Sequence, residues 1–352
     1  MDNNNYYTYE EIMNQTDTLE LVYKDILNGV VDLSFLGNSY DEIILFGCGT
    51  DYNLCQSASF FTKSLLDDRG CIALPTSELL INTGTYVKKN RKYLIIGFSR
   101  SGETTESINV VEKLKGRSNV TVFIFSAIKN STIINLTDKY FICRGAAEKS
   151  IAMTKAYTSF LFAYCLMLVK FLDNKEMLGE FKYLIKYLKE NISKLFEDTQ
   201  NYLDKNDFNS YFVLGSGFNY GIAVEADLKM KEMSQTPSYS YHLHEFNHGP
   251  KTLTGKGDLC LILTLSKNMI SIEKIIKEII SLGPKILIVD SKDISKIKNE
   301  NVNYLLSASD FKFGFIKSFI NIPVFQILAY IKAIRKNANP DEPRNLNFTT
   351  KI

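Results

Sequence analysis

Apolar positions along this chain fall into two regimes. Short runs of consecutive β-branched and aromatic residues alternate with longer stretches in which apolar residues recur at intervals of three and four. Residues 43–48 (IILFGC) form a run of the first kind, Gly49-Thr50 make a tight turn, and NLCQSASFFTKSLLDD carries helical spacing. Further runs at 71–75 (CIALP), 93–98 (YLIIGF) and 120–127 (VTVFIFSA) read as buried strands, separated by charged stretches such as ESINVVEKLKGR that suit surface helices. This alternation predicts the α/β class: a parallel sheet covered by helices on both faces.

A helical block follows over roughly residues 154–200, and the pattern then restarts at Tyr211 with YFVLGSG and a long helical stretch from Asn219 to Met233. ILFGCGTDYN and FVLGSGFNYG share a strand, a Gly-x-Gly turn and a helix start, while CLILTLSKN and KILIVDS parallel LIIGFSRSG and VTVFIFS. The second half therefore repeats the first. The expected organisation is an N-terminal domain at 1–175, a helical linker at 176–205 with few turn residues, and a C-terminal domain with a tail at 206–352.

Composition agrees with two compact domains: 352 residues, 45% hydrophobic and 23% charged, close to the globular average. Lys plus Arg number 41 against 39 Asp plus Glu, so no broad basic field is available for nucleic acid or anionic lipid. Neither is expected as a partner. The six cysteines, at 48, 55, 71, 143, 165 and 260, sit in apolar segments without a CxxC pair and read as reduced thiols of a cytoplasmic protein. MDNNNYYTYEEIMNQ lacks the basic and apolar stretches of a signal peptide. The most apolar run, from Lys155 to Lys170, is too short for about 30 Å of hydrocarbon and reads as a core helix.

Chemistry concentrates in two places. Ser99-Arg100-Ser101-Gly102-Glu103-Thr104-Thr105 follows a buried strand and opens a helix. Hydroxyls and unpaired backbone N–H groups at such a point attract anions, phosphate above all. The ordinary alternative is that Ser101 or Thr104 caps the helix. Gly47-Cys48-Gly49-Thr50 alone is a weak nucleotide signal, since the third glycine and the downstream acidic residue of a dinucleotide site are not clearly present. The second place is Glu225 to Pro250. Glu225 and Lys229, four apart, suit a surface ion pair, and Glu232 lies one turn further on. All three histidines, His242, His244 and His248, fall within seven residues. Their spacing lacks a helical zinc motif such as His-Glu-x-x-His, so a carboxylate and an imidazole moving protons on a sugar fit better than a metal.

Taken together, Phe46 to Thr50, Ser99 to Thr104, Ala152-Met153-Thr154-Lys155-Ala156-Tyr157, EADLKMKE (225–232), His248-Gly249-Pro250 and Pro343-Arg344-Asn345-Leu346 resemble the sugar isomerase (SIS) family. The similarity is to members with two such domains, namely the isomerase half of glucosamine-6-phosphate synthase and the fructosamine-6-phosphate deglycases. It implies two SIS domains, each a five-stranded parallel sheet flanked by helices, and a homodimer whose active sites draw residues from both subunits. Carried over by position, Ser99, Ser101 and Thr104 look like the phosphate loop, with Thr50 on the other wall. Substrate or phosphate contact extends to Asp51, Arg100, Ala152 and Lys229. Glu232 falls where the family has its proton shuttle between C1 and C2, and His248 where it has the histidine that assists ring opening from the neighbouring subunit.

The sequence departs from the synthases at informative positions. No glutaminase domain is expected ahead of these residues, since Asp2 stands where the synthases carry a cysteine nucleophile, and internal delivery of ammonia is not expected either. Asp51 replaces a phosphate-binding serine, and a carboxylate there repels phosphate unless it turns away or binds an amine. Phe348 stands where the synthases place an imine-forming lysine, a role a phenyl ring cannot fill. Lys351 is a weak substitute, three residues away. Glu245 to Pro250 instead resembles the EFxHGP pattern of the deglycases, whose substrates already carry nitrogen. The expected function is an isomerase of deaminase or deglycase type acting on an open-chain amino- or amine-linked sugar 6-phosphate. The alternatives are a simple aldose–ketose phosphate isomerase and a non-catalytic sugar-phosphate sensor. Enolisation needs only acid–base groups and a stabilised oxyanion, so no metal or cofactor is expected.

Overall fold

The structure is a computed structural model that describes residues 6–66, 69–263, 269–289, 297–305 and 311–349. In chain order its elements are α1 (Tyr7–Met13), α2 (Gln15–Leu27), β1 (Glu42–Gly47), α3 (Thr50–Leu65), β2 (Gly70–Pro75), α4 (Thr76–Ile81), α5 (Thr83–Tyr86), β3 (Tyr93–Ser99), α6 (Thr105–Leu114), β4 (Val120–Ser126) and β5 (Tyr140–Ile142). Then come α7 (Lys155–Phe171), α8 (Lys175–Lys205), β6 (Ser210–Gly215), α9 (Phe218–Ser234), β7 (Ser238–His242), β8 (Asp258–Leu263), α10 (Met269–Leu282), β9 (Lys285–Val289), β10 (Val302–Leu305), α11 (Gly314–Lys317) and α12 (Asn321–Arg335).

The apolar runs become the inner strands because they are covered on both faces. All seven residues of β3 are buried, as parallel strands between two helical layers require. The first sheet has the order β2-β1-β3-β4-β5 and the second β10-β9-β8-β6-β7, five described strands each, with every neighbouring pair parallel. Counted from β6, the second order is the first repeated, so the duplication legible in the sequence is a duplication of topology. Ile44, Phe46, Ile95, Val110 and Ile124 centre the core of one unit, and Phe212, Leu214, Ile262, Ile276 and Ile288 that of the other.

Contacts divide the chain into two compact units, and each takes in a piece from the far end of the sequence. One holds Asn14–Lys182 with the segment from Asn345, and the other holds α1 with Tyr183–Arg344. Helix α7 is buried continuously from Ala156 to Val169, a helix apolar on every side enclosed in protein. The segment Gly314–Arg335 is also long and apolar enough to cross a membrane by composition, with a mean hydropathy of 1.4. Yet 83% of its window lies inside the protein, so it too is a core helix.

Three edge strands, β5, β7 and β10, were not picked out as strands from the apolar runs. Each is short, and β7 (SYSYH) buries only its first residue instead of running apolar throughout. Asp2, Lys351 and residues 264–268, the counterpart of the Ser99 loop, lie outside the described residues.

Candidate functional site

In the first unit the strand order reverses between β1 and β3, with β1 lying between β2 and β3. Loops leaving the carboxyl ends of two such strands diverge and open a crevice, the usual binding place of open α/β sheets. The loops here are Gly47 to Thr50 and Ser99 to Thr104, so topology brings together the two segments singled out in the sequence.

The first loop is a turn that only glycine permits. A Cβ on Gly47 would lie 2.4 Å from the carbonyl carbon of Asp51, and Gly49 has a φ of 53°. The chain therefore enters α3 abruptly, with Thr50 and Asp51 buried in its first turn. Burial of the Asp51 carboxylate at a helix N-terminus is favoured by the helix dipole. The second unit repeats this turn: Gly217 has a φ of 59°, and a Cβ on Gly215 would lie 2.4 Å from the Asn219 carbonyl oxygen.

The second loop is held from several directions. Ser99 Oγ accepts the Gly102 N–H at 3.2 Å and Ser101 Oγ accepts the Glu103 N–H at 3.1 Å. Each serine still has its own hydroxyl proton to donate to an anion. Thr104 occupies the N-cap position of α6, yet its side chain makes no capping hydrogen bond, which removes the capping explanation for this residue. Gly102 has a φ of 70°, and a Cβ there would meet Ser131 Oγ at 2.1 Å. Glu103 grips the neighbouring segment, accepting the Thr132 N–H at 2.7 Å and the Thr132 hydroxyl at 2.8 Å. The loop is thus fixed before any ligand arrives.

Arg100, expected among the substrate contacts, is directed inward. Its guanidinium donates to Glu148 Oε2 at 3.0 Å, to the Ser150 carbonyl at 3.1 Å and to the Ile151 carbonyl at 2.7 Å. Glu148, whose side chain is fully buried, also accepts from the Thr154 N–H (2.7 Å), the Thr154 hydroxyl (2.9 Å) and the Ala156 N–H (3.2 Å), and so caps α7. Ala152 lies in the loop so supported and is itself only 1% exposed. Among the residues in this network, Glu148 was not singled out from the sequence. No periodicity marks a single buried carboxylate; its mark is its position a few residues ahead of the α7 start.

In the second unit, Glu225, Lys229 and Glu232 lie along one face of α9. Lys229 Nζ is 3.3 Å from Glu225 Oε1 and also pairs with Glu232. The surface ion pair read from the spacing is in fact buried, with Lys229 and Glu225 side chains 1% and 0% exposed and Glu232 17%. Burial alone would lower the Lys229 pKa. The two carboxylates outweigh it and hold the ammonium form above the usual lysine value. Glu232 is the member of this row that solvent reaches.

The histidines separate. His242 ends β7 with its ring parallel to Tyr220, centroids 3.8 Å apart at 13°. Burial lowers its pKa, against the pull of Glu245. His244 and His248 are exposed on the segment beyond β7, where the His248 N–H donates to the Glu245 carbonyl at 3.0 Å. Among the described residues no group of three His, Cys, Asp or Glu side chains is placed to hold a metal ion.

Residues 38–170 and 206–328 match the SIS domain. The chain belongs to the SIS domain family. The two SIS segments coincide with the two sheets. Glutamine–fructose-6-phosphate aminotransferase (isomerizing) from Salmonella typhimurium is 26% identical over 97% of this chain and 58% of its own length. A probable enzyme of the same name from Acanthamoeba polyphaga mimivirus is 30% identical over 87% of this chain and 50% of its own. The chain thus spans between half and three fifths of the length of these relatives. Among solved structures, a glucosamine-6-phosphate deaminase from Thermotoga maritima superposes with a TM-score of 0.79 at 27% identity, covering 98% of this chain and 100% of that one. A tagatose-6-phosphate ketose/aldose isomerase from Escherichia coli, at 19% identity and a TM-score of 0.84 over 97% of each chain, shares the SIS fold.

Proposed function

We propose that this SIS protein is a phosphosugar isomerase of deaminase or deglycase type, acting on an open-chain amino- or amine-linked sugar 6-phosphate. The observation that carries the reading is the pre-fixed loop Ser99 to Thr104 at the switch point of the first sheet. Its serine protons remain to be donated, and its Thr104 hydroxyl makes no cap bond. In this reading Ser99, Ser101 and Thr104 hold the phosphate with Thr50 opposite, and Arg100 and Ala152 act by shaping the loops around it. Glu232 moves a proton between C1 and C2 through an enediol or enolamine, while Lys229 aims that carboxylate through their ion pair. His248 assists ring opening, supplied by the partner subunit of a homodimer. Support for the amine-linked substrate comes from Asp51 in the first turn of α3, which suits an ammonium, and from Phe348 in place of an imine-forming lysine.

The experiment is proton exchange followed by NMR in D₂O, with hexose, hexosamine and fructosamine 6-phosphates as the panel. Deuterium entering at C1 or C2 together with amine release is the expected result. Exchange without release would make the protein a simple aldose–ketose isomerase. Saturable binding without exchange would make it a sensor.

A further inference from the structure

Three hydrogen bonds run from the two terminal nitrogens of the Arg100 guanidinium to protein acceptors, and its flat face lies against a further group. The ring of Phe348, from the tail segment that packs within the first unit, covers that face at 4.2 Å from the ring centroid. The distance is well inside the range in which an aromatic quadrupole attracts a cation. Phe348 is otherwise 42% exposed, a large apolar side chain left partly in water. Its contact with Arg100 therefore joins the tail to the residue that ties the phosphate loop to Glu148 and to the Ser150 and Ile151 carbonyls.

We propose that Phe348 is a positioning residue for phosphate recognition: its ring clasps the guanidinium of Arg100 and so holds the Ser99–Thr104 loop in its binding conformation. The proposal rests on the reading of that loop as a phosphate site. It differs from a purely apolar role in requiring an aromatic face. A tyrosine can replace the phenylalanine, whereas a leucine of similar bulk cannot.

The test uses the full chain as wild type, Phe348→Tyr, Phe348→Leu and Phe348→Ala, with fructose 6-phosphate and inorganic phosphate as probes in calorimetric titrations. Phe348→Leu and Phe348→Ala are expected to weaken both probes about three- to tenfold at an unchanged melting temperature, with Phe348→Tyr within twofold of wild type. A leucine variant that binds like wild type, or an alanine variant that does, overturns the proposal. Hydrogen exchange of amides 99–104 and 148–154 in the unliganded variants provides a reading that needs no ligand. Faster exchange in the leucine and alanine variants but not in the tyrosine variant is expected, and no change in any of them overturns the clasp. If exchange responds while the wild type binds neither probe, the clasp stands and the phosphate-site reading falls.

Discussion

Arg100 and Glu148 form a buried ion pair, 3.0 Å apart with side chains 7% and 0% exposed, between the phosphate-loop candidate and the start of α7. Removing one member of such a pair leaves the other charge buried, which costs about 3–5 kcal/mol. Glu148→Gln is therefore expected to lower stability by about that amount in urea unfolding. A loss under about 1 kcal/mol would mean that water reaches the guanidinium.

Glu232 is the solvent-reachable carboxylate of the α9 row. Loss of a positioned general base lowers rates about 10²- to 10⁴-fold. Glu232→Gln is expected to lose turnover on that scale while binding sugar phosphate as wild type does. Undiminished turnover removes Glu232 from the mechanism.

For Lys229 the pH dependence has a definite sign. Its folded-state pKa is raised, so its contribution to stability is complete below the ordinary lysine value of 10.5 and is lost as pH rises through the higher folded value. Melting temperatures of wild type and Lys229→Arg should run in parallel from pH 7 to about 10 and diverge only above that. A lysine held as ammonium is also a poor imine former, so borohydride reduction in the presence of a ketose phosphate should leave no adduct on Lys229.

Asp51 distinguishes substrate classes. A hydrogen bond to a charged group contributes about 1.5–3 kcal/mol, so Asp51→Ser should cut kcat/KM for amine-bearing sugar phosphates about ten- to a hundredfold while sparing plain hexose phosphates. An equal loss for both classes would give Asp51 a role in the α3 turn alone.

Cys48 is the one cysteine of the six that is not buried, and it lies inside the β1–α3 turn. Burial raises its thiol pKa, with Thr76 and Ser107 hydrogen bonds partly offsetting the shift. Iodoacetamide at pH 7 should label this thiol alone, more slowly than free cysteine, and saturating fructose 6-phosphate should slow it further, by about tenfold. Labelling indifferent to the sugar phosphate would place the ligand away from this turn.

Much of the fold was legible because the inner strands are sandwiched: IILFGC, YLIIGF and VTVFIFSA correspond within a residue or two to β1, β3 and β4. Of the four edge strands β2 was legible as CIALP, while β5, β7 and β10 escaped because they are short and show no continuous apolar run. For the candidate site, the loop residues were legible as types at a helix start, but which way each points was not. Arg100 turns inward because Glu148, 48 residues away, waits for it, and no local spacing encodes such a partner. Lys229 likewise reads as surface until the packing around α9 is known.

The seven-residue helix α1 is too short to persist alone. Its opening amides, those of Tyr7 and Thr8, donate to Asp341 at 2.9 and 2.7 Å, and its Tyr9 packs on Tyr330 of α12. During synthesis this segment must therefore wait through more than three hundred residues for its cap. A nascent chain halted before Asp341 leaves α1 loose, open to proteases and chaperones, and the second unit closes only once Asp341 has been made.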